Sequence, residues 1–144
     1  MLIGEYVHTI DPKKRLSLPV KFRKELGKTV IVTRGLDQCL FVFPPVAWKK
    51  LVSKFSELSF GSVESRSFNR FMLSGAVEVA VDTAGRILLP DFLKGFAGLK
   101  SKVVLAGVND RVEIWDEKRW SAYKATIEAQ GDALAQKLGE IGVI

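Results

Sequence analysis

Asp11-Pro12-Lys13-Lys14-Arg15-Leu16-Ser17-Leu18-Pro19 returns 71 residues later as Asp82-Thr83-Ala84-Gly85-Arg86-Ile87-Leu88-Leu89-Pro90. Self-similarity at a fixed offset sets the architecture before any single element is assigned. The offset holds upstream, where Gly4 answers Gly75. Downstream it becomes 72, with Gly35 answering Gly107, Leu40 answering Val112, Val42 answering Ile114 and Trp48 answering Trp120. The chain is two copies of one unit.

Each copy reads alike. Residues 6–10 and 77–81 are short strands rich in β-branched side chains. The Asp-x-x-x-Arg turn follows, its Asp suited to accept a bond from a backbone N–H two residues on. Gly85 supplies a position that tolerates positive φ. Lys14 stands there in the first copy, so the first turn must differ or carry strain. Residues 15–18 and 86–89 form the next strand. Pro19 and Pro90, as first helical residues, open short helices over 20–26 and 91–96. Hairpins then pair 30–33 with 40–43 and 103–106 with 112–115. Further helices are expected over 46–55, 65–73 and 117–138, the last interrupted at Gly131. The chain divides into a first repeat, 1–55, a connecting helical segment, 56–74, a second repeat, 75–116, and a helical tail, 117–144. A unit of about 50 residues is marginal alone, and two sharing one core solve that problem.

Charge is unevenly spread. The net charge is +6, and residues 8–28 hold +5 of it: Lys13, Lys14, Arg15, Lys21, Arg23, Lys24 and Lys28 against Asp11 and Glu25. In the matching window of the second copy, residues 79–99, Asp82 and Asp91 cancel Arg86 and Lys94. A basic patch of this kind is the electrostatic footprint of a nucleic-acid partner. No run of about 18 apolar residues predicts a membrane span. The opening residues lack the pattern of a signal peptide, so a cytoplasmic protein is expected.

The paired Asp-x-x-x-Arg motifs, the Gly35…Cys39-Leu40 hairpin and Glu113-Ile114-Trp115-Asp116 together resemble the MraZ family, from Gly4 to about Trp120. The resemblance implies a mainly β fold with peripheral helices: a duplicated, swapped-hairpin, AbrB-like β-barrel with pseudo-twofold symmetry. It also implies a nucleoid-associated bacterial transcription factor at the promoter of the division and cell-wall gene cluster. Such a factor binds repeated promoter boxes on double-stranded DNA as a ring-shaped homo-oligomer. Lys14 departs from the family pattern, where Gly is common.

Arg15 is the first candidate for DNA contact, since a guanidinium can bond guanine O6 and N7 together and also pairs with phosphate. Its alternative role is as a turn partner of Asp11. Lys13, Lys14, Lys21, Arg23 and Lys24 are candidates for phosphate contacts, which set affinity and register without reading sequence. Any one alone reads equally as a solvated surface charge. Asp11, Asp82, Gly85 and Arg86 read as turn-forming, with the second turn chiefly structural or an assembly surface. His8 faces the first turn and reads as an ordinary strand residue. Trp48, Trp115 and Trp120 read as core or subunit-contact anchors, and Cys39 as a small buried residue.

Enzymatic readings find little support. A Ser-His-Asp or Cys-His arrangement would need His8, the only histidine. One cysteine cannot form an intrachain disulfide, and no His/Cys spacing fits zinc, so neither metal nor cofactor is expected. Against DNA binding stands one other class, an RNA-binding or protein-binding assembly scaffold using the same basic surface.

Overall fold

The computed structural model describes residues 1–144. The first copy contributes β1 (Leu2–Thr9), β2 (Arg15–Ser17), α1 (Val20–Leu26), β3 (Thr29–Arg34) and β4 (Leu40–Phe43). Then come α2 (Pro45–Phe55), α3 (Val63–Asn69) and a π-helical turn, Arg70–Ser74. The second copy repeats the order with β5 (Val77–Ala80), β6 (Arg86–Leu88), α4 (Asp91–Ala97), β7 (Lys102–Asn109) and β8 (Val112–Asp116), and ends in α5 (Glu117–Glu140).

The copies interleave. Six strands form one antiparallel sheet in the order β1-β7-β8-β4-β3-β5, and β2 pairs with β6 in a separate ribbon. The first strand of each copy therefore lies on the hairpin of the other: β1 on β7, β5 on β3. Like pairs with like at the centre, β4 with β8 and β2 with β6. Neither copy can complete its sheet or its core without its mate.

Both faces of the central strands are buried, which is why these strands read as nearly continuous apolar runs and do not alternate. On one face Val32, Leu40, Val42, Leu105, Val112 and Ile114 meet Leu16, Leu18, Ile87 and Leu89 from the ribbon end, with Phe22 and Leu26 of α1 and Leu93 of α4. On the other face Cys39, Phe41, Phe43 and Trp115 meet Phe55 and Met72, flanked by Trp48, Leu51 and Trp120. All three tryptophans thus belong to this second core.

Several expectations need correction. The sheet is open, not a closed barrel: β1 and β5 are its two edges. The helix across Gly131 is unbroken, because one glycine costs only about 1 kcal/mol in a helix interior and the flanking alanines favour the helix. Strand pairing sets Tyr6 opposite Leu105 and its repeat mate Val77 opposite Val32, an offset of 73 for β3 and β7. Gly107 therefore answers Arg34, not Gly35. It lies opposite Gly4, where a Cβ would strike the β1 backbone at 2.6 Å. Pro19 and Pro90 sit one residue ahead of their helices, as caps, while Pro45 is the first residue of α2. The connecting helix starts at Val63 and ends in the π-helical turn, where the Thr33 hydroxyl donates to Met72 O at 2.7 Å.

Candidate nucleic-acid interface

The two Asp-x-x-x-Arg turns are superposable in their bonding. Asp11 Oδ1 accepts from the amides of Lys13 and Arg15, both at 2.9 Å, and Asp11 Oδ2 accepts from Arg15 Nε at 2.8 Å. Asp82 Oδ1 accepts from the amides of Ala84 at 2.9 Å and Arg86 at 2.8 Å, and Asp82 Oδ2 from Arg86 Nε at 2.9 Å. In each turn the fourth residue is left-handed, Lys14 at φ 65° and Gly85 at φ 79°. The first turn therefore does not differ from the second; Lys14 accepts the strained conformation instead, which side chains other than glycine seldom adopt. Backbone amide bonds from Arg15 and Arg86, aided by their guanidinium groups, hold both carboxyls below the ordinary 3.8 despite some desolvation.

Each turn leans on the other copy. Leu18 N donates to Gly85 O and Leu89 N to Lys14 O, both at 2.9 Å. Lys14 Nζ reaches Asp91 Oδ2 on α4 at 2.7 Å, and this bond with the ammonium lowers the Asp91 carboxyl. Arg23 on α1 donates from Nε to Leu18 O at 2.8 Å and lays its guanidinium over Gly85. A Cβ on Gly85 would meet that guanidinium at 2.2 Å. His8 joins the assembly through Nδ1, 2.6 Å from Ser17 O.

The ribbon fixes where the arginines point. Leu16 and Ile87 face each other and are fully buried. Arg15 lies opposite Leu88 and Ser17 opposite Arg86, so by strand alternation these four project together on the outer face. Arg15 and Arg86 are diagonal neighbours, roughly 7–8 Å apart along such a ribbon. Each side chain is 33% exposed and uses only Nε in its ion pair. Both terminal nitrogens of each guanidinium are left for a ligand.

The other candidates divide. Lys13 flanks Arg15 and is exposed with no ion-pair partner. Lys14 is paired with Asp91, and Arg23 is built into the framework. Lys21 and Lys24 are exposed on α1, where Lys21 borders Met1, Gly4 and Tyr6 on the β1 side, away from the ribbon. The basic cluster of the sequence is thus two surfaces: the turn with its ribbon, and the outer flank of α1. Arg86, expected to be mainly structural, stands on the same face as Arg15. The bracing roles of Arg23 and Asp91 were not read from the sequence. Their signal was there: where copy one has Lys in the turn, copy two has Asp91 in its helix, and where copy two has Gly in the turn, copy one has Arg23.

Elsewhere Arg34 Nε, Asn69 Oδ1 and Trp120 Nε1 are buried without a hydrogen-bond partner, while other polar groups are paired. Glu113 accepts from Arg111 Nη2 at 2.9 Å and from Trp115 Nε1 at 3.1 Å. The Cys39 thiol is buried and its pKa is pushed well up by desolvation. No three His, Cys, Asp or Glu side chains converge as a metal site, and no helix is long and apolar enough to cross a membrane.

Comparison with known proteins agrees with this architecture. The family model described as "MraZ protein, putative antitoxin-like" matches twice, over residues 1–71 and 72–138. Proteins named transcriptional regulator MraZ are similar along nearly their whole length. That of Moorella thermoacetica is 46% identical over 143 residues, covering 99% of this chain and 100% of the relative. That of Roseiflexus castenholzii is 43% identical, covering 98% and 99%. That of Heliobacterium modesticaldum is 46% identical, covering 96% of each. Two tandem matches and identities of this size over full-length relatives show that the chain belongs to the MraZ family of transcriptional regulators.

Proposed function

We propose that this protein is a sequence-specific DNA-binding regulator acting in the cytoplasm on the nucleoid, at repeated promoter boxes of the division and cell-wall gene cluster. The observation that carries the reading is the outer face of the β2–β6 ribbon. Arg15 and Arg86 stand side by side there, each preset by its aspartate and each with free terminal nitrogens. A two-stranded ribbon fits the major groove of B-DNA, and an arginine there can bond guanine O6 and N7 at once. Lys13 is placed for phosphate beside Arg15, and Lys21 and Lys24 offer a second basic surface for backbone or a neighbouring segment. Asp11 and Asp82 shape the turns and do not touch DNA, since a carboxylate would repel phosphate.

One ribbon offers few contacts, so one chain binds modestly. A ring-shaped homo-oligomer presents several ribbons to regularly spaced boxes, and effective concentration multiplies the affinity. The test is a titration of Arg15→Ala on the DNA upstream of the protein's own gene. The variant is expected to keep its fold and lose specific binding. Wild-type affinity in the variant would sink the assignment, and equal affinity of the wild type for duplex RNA would favour the RNA-binding scaffold.

A further inference from the structure

The outer face of the ribbon is a square of four side chains. Arg15 and Arg86 hold one diagonal, Ser17 and Leu88 the other. The pseudo-twofold that exchanges the copies exchanges the two arginines, and it also exchanges position 17 with position 88. There the symmetry breaks. One corner carries a hydroxyl, the other a leucine that is 57% exposed.

The fold does not use this leucine. Leu16, Leu18, Ile87 and Leu89 are the fully buried residues of the ribbon segments, and Leu88 lies on the opposite side, outside both hydrophobic cores. A surface for a protein partner would be a contiguous apolar patch. Here the other three corners are a serine and two arginines, each arginine held by its own aspartate. The exposed apolar side chains nearest in sequence, Val20 and Phe92, sit on α1 and α4 and not on the ribbon.

The floor of the major groove matches a face that is apolar at one corner and cationic at the next. Guanine shows two acceptors there, O6 and N7, and thymine shows a C5-methyl group. Leu88 is the direct cross-strand partner of Arg15. Cβ atoms of such a pair stand ~4.5–5.5 Å apart, a spacing that long side chains close to the ~3.4 Å step between bases. We propose that Leu88 is a specificity-determining residue, packing its methyl groups on the C5-methyl group of a thymine next to the guanine that Arg15 bonds. This rests on the DNA reading above. Cytosine or adenine would set an amino group at that point, and leucine can accept no bond from it. Ser17, beside Arg86, can bond either kind of base edge and makes no such demand. The two arginines therefore read with unequal neighbours, strictly beside Leu88 and tolerantly beside Ser17.

The experiment replaces the thymines of the footprinted operator with deoxyuridine, which keeps the base pairing and removes only the methyl group. Affinities of the full-length wild type, Leu88→Ala and Leu88→Ser are measured on both duplexes. The second variant copies the corner at Ser17. Wild type is expected to bind the deoxyuridine duplex about fourfold more weakly per box, the worth of one buried methyl group. Both variants are expected to bind the natural duplex more weakly than wild type does, and to treat the two duplexes alike. Because Leu88 is exposed, both should keep the wild-type melting temperature, and either one that folds suffices for the comparison. A wild type indifferent to the methyl group overturns the inference and leaves DNA binding standing. So does a folded variant that still prefers thymine, or an operator with no thymine beside the guanine that Arg15 protects. A variant whose sedimentation mass changes overturns it as well, since the leucine would then join copies. A wild type with no preference for its operator over unrelated duplex overturns the DNA reading itself.

Discussion

The two turns share one backbone and one hydrogen-bond pattern, yet one carries Lys13 and Lys14 where the other carries Ala84 and Gly85. The difference teaches that geometry and charge are set by separate residues. Aspartate, arginine and one left-handed position build the turn. The residues between them decide what the turn faces: an ion pair to Asp91 in the first copy, a covering guanidinium from Arg23 in the second. Each turn is therefore held by the helix of the opposite copy, and the ribbon between them makes the two a single unit.

The largest effect should come from breaking the second turn where it is covered. Gly85→Ala places a Cβ 2.2 Å from Arg23 and asks alanine to hold φ 79°. Left-handed strain of ~1–2 kcal/mol, and the Arg23–Leu18 bond of ~0.5–1.5 kcal/mol given up as the guanidinium swings aside, give a loss of roughly 1.5–3.5 kcal/mol. The matching change in the first turn, Lys14→Ala, keeps the strain already present and removes only an exposed ion pair, so it should cost under about 1 kcal/mol. Urea denaturation of both variants checks the contrast. Equal losses would mean that the covering guanidinium does not distinguish the turns.

Next in size is the contrast between the arginines. Arg15→Ala should cost about 1–3 kcal/mol at each box contacted, the worth of one bidentate base contact, which summed over repeated boxes removes specific binding. Arg86→Ala should weaken it too, but less, because Ala84 and Gly85 offer no phosphate-directed charge beside it. Fluorescence anisotropy on one operator fragment ranks them. An unaffected Arg86→Ala variant would confine DNA contact to the first turn.

Much of this was legible in the sequence, and the parts that were not share one physical cause. The repeat, both turns, the hairpins and the burial of Trp48, Trp115 and Trp120 follow from local pattern, because turn chemistry and periodicity are local. The exchange of β1 and β5 between copies is not local: nothing within residues 2–9 says that their partner is β7. The pairing of β2 with β6 is equally non-local; it places Arg86 beside Arg15, and so did not appear in a charge count. Open and closed sheets likewise differ only in whether β1 and β5 meet, which their own residues do not encode. Lys14 shows the converse limit. Its side chain left a different turn and a strained one both open; the strained one forms, held by two backbone bonds, Asp11 N to Arg15 O and Lys14 N to Asp11 O, and three bonds to the Asp11 carboxylate.

A smaller effect separates free lysines from the paired one. Lys13→Ala should reduce the slope of log affinity against log salt by about 0.9, the contribution of one phosphate contact. Lys14→Ala should change it by less than half as much, since Asp91 already balances that ammonium in the free protein. Titrations at several salt concentrations measure both. Equal slopes would show that Lys14 leaves Asp91 when DNA arrives.

The smallest effect concerns acid. Asp11 and Asp82 ionise below the ordinary 3.8 in the folded chain, chiefly through the backbone amides of Arg15 and Arg86. A depressed carboxyl stabilises the fold at any pH above its ordinary value, and that contribution is lost as pH falls through the folded value. Asp11→Asn and Asp82→Asn should therefore each flatten the acid side of a melting-temperature profile below 3.8, by like amounts, because the two turns bond alike. Asp91→Asn should flatten it as well, through the lost bond to Lys14, although no counterpart of that pair exists on the other side of the ribbon. If Asp11 and Asp82 gave unequal shifts, the turns would not be equivalent, and the strain at Lys14 would be the first place to look for the difference.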